Sequence, residues 1–143
     1  MVMTLTEWAR QIEAFASSAT AKVADATADE MQALIQEGLD AGVDPWGNPW
    51  APLRPSTLAR GRTPPPLTDT GVMRDQVVVA ANGDTLSVEA PSPAEYHQSG
   101  TSRMARRPMW PSSNEEMPDE WQNRIDLAGT VAMAQAAKAA GLK

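Results

Sequence analysis

The 143-residue chain contains no cysteine, one histidine, one tyrosine and one phenylalanine. Without cysteine there is no disulfide, no thiolate zinc site and no cysteine nucleophile. The single histidine, His97, has no second histidine to share a metal with, and no carboxylate pair at ligand spacing surrounds it. Long apolar runs are missing too. The longest, Val77 to Ala81, has five residues, whereas a membrane-spanning helix takes about 20. The opening residues, MVMTLTEWAR, carry neither a basic n-region nor an apolar h-region, so neither a secretory signal nor a membrane partner is expected. Bases are in deficit, 12 against 18 acids, and a net charge of -6 disfavours a free-standing DNA-binding module, which needs a basic surface for phosphate.

What is present suits one globular domain over 1–143: 42% hydrophobic and 21% charged residues in a chain long enough to bury a core. The charge is uneven. Residues 1–53 hold eight acids and two bases, residues 54–107 seven arginines and five acids, and residues 108–143 five acids and three bases. The split fits subunits that meet unlike surfaces in an assembly; a solvated surface with chance clustering fits it as well.

Residues 1–41 read as helical. Trp8, Ile12, Phe15, Ala16, Ala19 and Val23 recur at three- and four-residue spacing, and Met31, Leu34, Ile35 and Leu39 continue an apolar stripe. Thr4 with Glu7 has the capping-box pattern, which Thr27 and Glu30 repeat. The segment is therefore one long helix or a helix pair broken near Asp25–Thr27, and Gly42 is its expected stop. Residues 42–70 form a long Pro-rich loop with seven prolines between 45 and 66, too many for a central strand or long helix. Within it Ser56 is positioned to cap a short helical turn through Ala59.

Over 71–112 the period changes to two. DQVVVAA, Asn82-Gly83 and DTLSVEA predict a β-hairpin with Asn-Gly at the turn. Further strands at Ala94–Gln98 and near Met109–Trp110 give an expected antiparallel sheet of three or four strands. Residues 113–143 read as a C-terminal helix from about 115 to 140, capped by Ser113 and Glu116, with Pro118 in its first turn and Trp121, Ile125, Ala128, Ala132 and Ala139 on one face. The fold class expected is α+β.

The most specific feature is a series of short motifs in fixed order. It runs Asp44-Pro45-Trp46-Gly47-Asn48-Pro49-Trp50-Ala51-Pro52-Leu53, Ser56-Thr57-Leu58, Leu67-Thr68-Asp69-Thr70-Gly71, Tyr96-His97-Gln98-Ser99-Gly100-Thr101 and Arg106-Arg107-Pro108-Met109-Trp110. This series resembles the phage virion morphogenesis family, also described as tail completion or Mu-like head–tail joining proteins. In that family a helix leads to P-D-G-x-x-W-x-P-L-x-x-S-T-L, followed by L-x-D-T-G-x-L, Y-A-x-x-H-Q-x-G-T and R-P-F before a last helix. The resemblance spans about residues 30–125. Trp46 stands where the family has aspartate, Met73 where it has leucine and Met109 where it has phenylalanine, and the spacer between Tyr96 and His97 is missing.

The resemblance implies a structural protein of a phage or prophage particle, a tail completion or head–tail connector protein with no enzymatic role and no cofactor. Its implied partners are copies of itself in a ring, with a hexamer expected, and other neck or tail proteins. DNA in the channel lumen is a candidate further partner. The implied location is the virion neck or tail end, reached through the host cytoplasm. The nearest rival is a tail terminator ring.

The residues themselves admit other uses. Asp69, Tyr96 and His97 could serve a small hydrolase, but a nucleophile–base–orienter set is missing; a turn role for Asp69 and a loop-bonding role for His97 are the expected ones. Gly47, Gly71 and Gly100 mark sharp turns. Trp46 and Trp50 flank a Gly-Asn-Pro turn and either fill the core or anchor a neighbour. Arg54, Arg60, Arg62, Arg103, Arg106 and Arg107 suit phosphate in a channel, although aromatic interleaving is lacking. Pairing with a neighbour's acidic N-terminal helix is the reading preferred here.

Overall fold

The computed structural model describes residues 2–62, 64, 66 and 72–142. Helix α1 runs unbroken from Leu5 to Ala41, so the helix-pair alternative does not hold. Its start is the expected capping box: the Glu7 N–H donates to Thr4 Oγ1 at 3.1 Å, and the Thr4 N–H donates to Glu7 Oε2 at 2.8 Å. The second capping pattern goes unused, because Thr27 sits mid-helix and its hydroxyl donates back to the Val23 and Ala24 carbonyls. Gly42 ends the helix at φ 71°.

Helix α5, Asp119–Ala139, returns antiparallel along α1. Arg124 near its start bonds Glu30 and Glu37 at 2.7 and 2.6 Å, and Gly129 lies against Val23 and Thr27. The helix starts later than expected. Proline disfavours helical geometry in the residue before it, which holds Met117 outside, and Pro118 stands at the N-cap without a side-chain cap bond. Ser113 and Glu116 do not cap it; the neighbouring pair Ser112 and Glu115 closes a turn upstream, with the Glu115 N–H on the Ser112 carbonyl and the Ser112 N–H on Glu115 Oε1. Trp121, Ala132 and Ala136 form its buried line.

Short helix α2, Pro55–Ala59, starts at Arg54 without a side-chain cap bond, so Ser56 is not its cap. Helix α3, Val72–Gln76, leads into strand β1, Val78–Asn82, which pairs antiparallel with β2, Thr85–Glu89. Asn82 pairs with Thr85, so the turn residues are Gly83 and Asp84, one position later than expected, and Gly83 takes φ 63°. Val79, Ala81, Leu86 and Val88 face the core. Gln32 of α1 secures β1 from the other side. Its Nε2 donates to the Val77 carbonyl and its Oε1 accepts the Val79 N–H, both at 2.6 Å.

The sheet has two strands among the described residues, not three or four. Residues expected as a third strand form α4, Pro93–Ser99. Pro93 opens that helix with its preset φ, Ala94 and Gln98 bury themselves four residues apart, and Tyr96 between them is 56% exposed. The Met109–Trp110 stretch pairs with no strand, because a side-chain amide takes its backbone groups as described below. The core gathers Ile35, Leu39 and Val77 with Leu34, Trp50, Met109 and Trp121. Burying each large aliphatic side chain contributes about 1.5–3 kcal/mol. It lies against the second half of α1; Trp8 and Ile12 of the first half are exposed, so the N-terminal apolar stripe is only partly used.

Candidate functional site

Three of the ordered motifs, distant in sequence, meet at one junction. The first, 44–53, is folded on itself before it reaches the others. Asp44 Oδ1 accepts the N–H groups of Trp46 and Asn48 at 2.9 and 2.8 Å, an Asx turn. Gly47 supplies φ 85° within it, and the Trp50 N–H returns to the Gly42 carbonyl. This fixes where the two tryptophans go. Trp50 is buried and its Nε1 donates to the Pro108 carbonyl at 3.0 Å, 58 residues away. Trp46 stays 37% exposed. Trp50 is thus core and Trp46 is surface.

Gln98 of α4 joins the second motif to the third. Its Oε1 accepts the N–H of Met109 at 2.8 Å and, weakly, that of Trp110 at 3.4 Å, while its Nε2 donates to the Trp110 carbonyl. Arg107 joins the third motif to the first. Its Nε and one terminal nitrogen donate to the carbonyls of Ala51 and Pro52 at 2.9 and 3.1 Å, and its own N–H donates to the His97 carbonyl at 2.7 Å. Pro108 is buried between these contacts and Trp110 is half-buried. Gly100 lets the chain leave α4 at φ 74° and lie against Arg106; a Cβ there would come within 3.1 Å of the Arg106 backbone.

Of the remaining motif residues, Leu53 is half-buried, while Ser56 and Leu58 are exposed on or near α2. Tyr96 points to solvent. Thr70 and Gly71, with Leu67 to Asp69, lie outside the described residues.

Beside the junction α2, α4 and the segment 103–107 border an open cavity of about 520 Å³. Arg54, Arg60, Arg103, Arg107 and His97 line it, with Ser56 and Thr57 on the α2 side. The expected loop bond of His97 is made by its backbone carbonyl and not by its ring. Its Nδ1 is buried without a partner among the described residues. Burial, and then the Arg107 charge, lower the His97 pKa, and burial, and then Arg54, lower that of Arg107.

The arginines divide into two groups. Arg106 is taken up inside the subunit, by Glu115 at 2.6 Å and the Gln98 carbonyl at 3.1 Å. Arg107 is 8% exposed and serves backbone carbonyls. Neither is the free surface charge that pairing with a neighbour's helix requires. Arg54, Arg60 and Arg103 are exposed with no acid partner among the described residues. Gln32 and Asp44 organise this architecture without standing out as site residues. An amide on the apolar line Ala28, Gln32, Ile35, Leu39 was the signal for the first, and Asp two residues before Trp-Gly was the signal for the second.

Among the described residues no three histidine or carboxylate side chains group to hold a metal, and no helix is long and apolar enough to cross a membrane. Compared with known proteins, the chain matches no family model, no curated protein and no solved structure.

Proposed function

We propose that the chain is a structural protein of a tailed-phage or prophage particle, a tail completion or head–tail connector protein at the head–tail junction, acting by closure of its copies into a ring of six. In this reading it carries no catalytic role.

One observation carries the assembly part. The paired helices α1 and α5 leave large apolar side chains in solvent in spaced sets: Leu5, Trp8 and Ile12 on α1, and Leu127 and Val131 on α5, with Leu5 84% and Leu127 64% exposed. Single exposed apolar residues are ordinary, but sets at helical spacing on two neighbouring helices have the form of surface meant for cover. Copies that cover unlike patches in head-to-tail fashion close into a ring. The placement at the neck rests on the ordered motifs. Three of their four described segments form one hydrogen-bonded unit, which supports reading the series as a single inherited feature.

Native mass measurement and electron microscopy of the particle neck test this directly. Six copies in one ring are expected; a single copy per particle, or a stable two-fold dimer within it, refutes the reading. The tail terminator alternative is decided by whether the protein co-purifies with tails alone or with heads.

A further inference from the structure

We propose that the cavity between α2, α4 and segment 103–107 is a binding site for a phosphate group. Arg54, Arg60, Arg103, Arg107 and His97 line its wall with the Thr57 hydroxyl, and no acid is among the described lining residues. The chain is not short of acids, having 18 against 12 bases. The fold sets carboxylates 2.6–2.7 Å from Arg74, Arg106 and Arg124. Around this one concavity it sets none among the described residues, although an arginine beside another arginine costs stability unless an anion joins them. His97 belongs to the same wall, although its Nδ1, which has no partner among the described residues, is buried behind it.

The number of donors selects the ligand. A carboxylate has two oxygens in one plane and is saturated by one or two guanidinium forks. A phosphate presents three or more oxygens in tetrahedral directions; Arg60 and Arg103 approach from the end of α2 and from 103, while Arg54, which donates to the Arg103 carbonyl at 2.8 Å, and Arg107, held by the Ala51 and Pro52 carbonyls, add positive charge to the wall. At about 520 Å³ the cavity also has room for the group that carries the phosphate. A free phosphate or nucleotide, and a phosphate of a DNA backbone, share that chemistry. The site is complete within one subunit, so it stands independently of ring formation.

Calorimetric titration of the full chain at low salt, with inorganic pyrophosphate and separately with a short DNA duplex, tests the proposal. One-to-one binding of at least one probe is expected, weakened about tenfold or more by the double substitution Arg60→Ala with Arg103→Ala, the loss typical of charge-assisted hydrogen bonds. Both side chains are exposed, so an unchanged circular dichroism spectrum and melting temperature confirm that the variant is folded. Pyrophosphate bound as tightly as DNA identifies free phosphate as the source; tighter DNA binding that falls steeply with salt identifies the backbone. The proposal is overturned if neither probe binds. It is equally overturned if the double variant binds undiminished, or if only an acidic peptide spanning 19–32 binds.

Discussion

Replacing Gln98 by methionine keeps the side chain's length and removes its amide. In the native protein that amide makes two sound bonds, the Met109 N–H at 2.8 Å and its own donation to the Trp110 carbonyl, and one weak contact, the Trp110 N–H at 3.4 Å. Met109 is 3% exposed, so its N–H cannot turn to water when the acceptor is gone. A buried polar group left without a partner costs about 1–3 kcal/mol, and two such groups give an expected loss of about 2–6 kcal/mol. Against the roughly 5–15 kcal/mol that holds a domain together, this weakens the fold without abolishing it. Urea unfolding followed by tryptophan fluorescence reads the change, as a lower midpoint at unchanged slope. Gln98→Glu separates the two halves of the amide. It keeps the acceptor for Met109 but sets a carboxylate oxygen against the Trp110 carbonyl, so it should be destabilised at neutral pH and regain part of the loss once acid protonates it. A loss below about 0.5 kcal/mol for Gln98→Met, the range of an inconsequential surface change, would falsify the idea that this amide holds segment 109–110.

Gly100→Ala forces a Cβ onto a backbone with φ 74° and ψ 165° and to within 3.1 Å of Arg106; the backbone strain alone costs about 1–3 kcal/mol, and calorimetry should show the melting temperature fall. Glu115 has its pKa lowered: burial raises it, but the Ser112 N–H, the Ser112 hydroxyl and Arg106 together outweigh burial. Its stabilisation is therefore complete above the ordinary value of 4.5 and lost as pH falls through the lower folded value. Glu115→Gln should accordingly lose stability at neutral pH and show a shallower decline below that point; equal acid slopes in both proteins refute this. Trp8→Ser with Leu127→Ser removes side chains that are 52% and 64% exposed, so the subunit should lose no more than about 2 kcal/mol while sedimentation shows weaker self-association. Unchanged association would show that these helix faces do not meet neighbours.

The parts of the fold legible in the sequence are those whose pattern repeats. The stripe Met31, Leu34, Ile35 and Leu39 is the core side of α1, and the period-two run around Val79 and Val88 is the hairpin. Short elements carry too few repeats to be read this way. Helix α4 buries only Ala94 and Gln98, two positions that four-residue and two-residue periods both fit, and only Pro93 and Gly100 at its ends distinguish them. Ser113 with Glu116 matches a cap as well as Ser112 with Glu115 matches a turn, and Pro118 decides between them. The junction is legible in order but not in contact. Trp50 to Pro108 and Arg107 to Ala51 are side-chain bonds to distant carbonyls, which no local pattern encodes. The arginine-lined cavity follows from the same limit: the sequence shows basic residues at 54–60 and 103–107, and only packing reveals which of them face acids.

The attachment of Gln32 to Val77 and Val79 bears on how this protein can grow into an assembly. A hairpin has two outer edges, each able to recruit another strand and so to propagate a sheet from chain to chain. Gln32 occupies the β1 edge at Val77 and Val79, standing in for a neighbouring strand. Among the described residues that leaves the β2 edge, 85–89, as the side open to recruitment. If two copies paired there, each would consume the other's open edge and a third could not join. Strand exchange therefore terminates at two chains. Closed rings of higher number must be built from helix faces, and runaway fibre formation through this sheet should appear only when Gln32 is replaced.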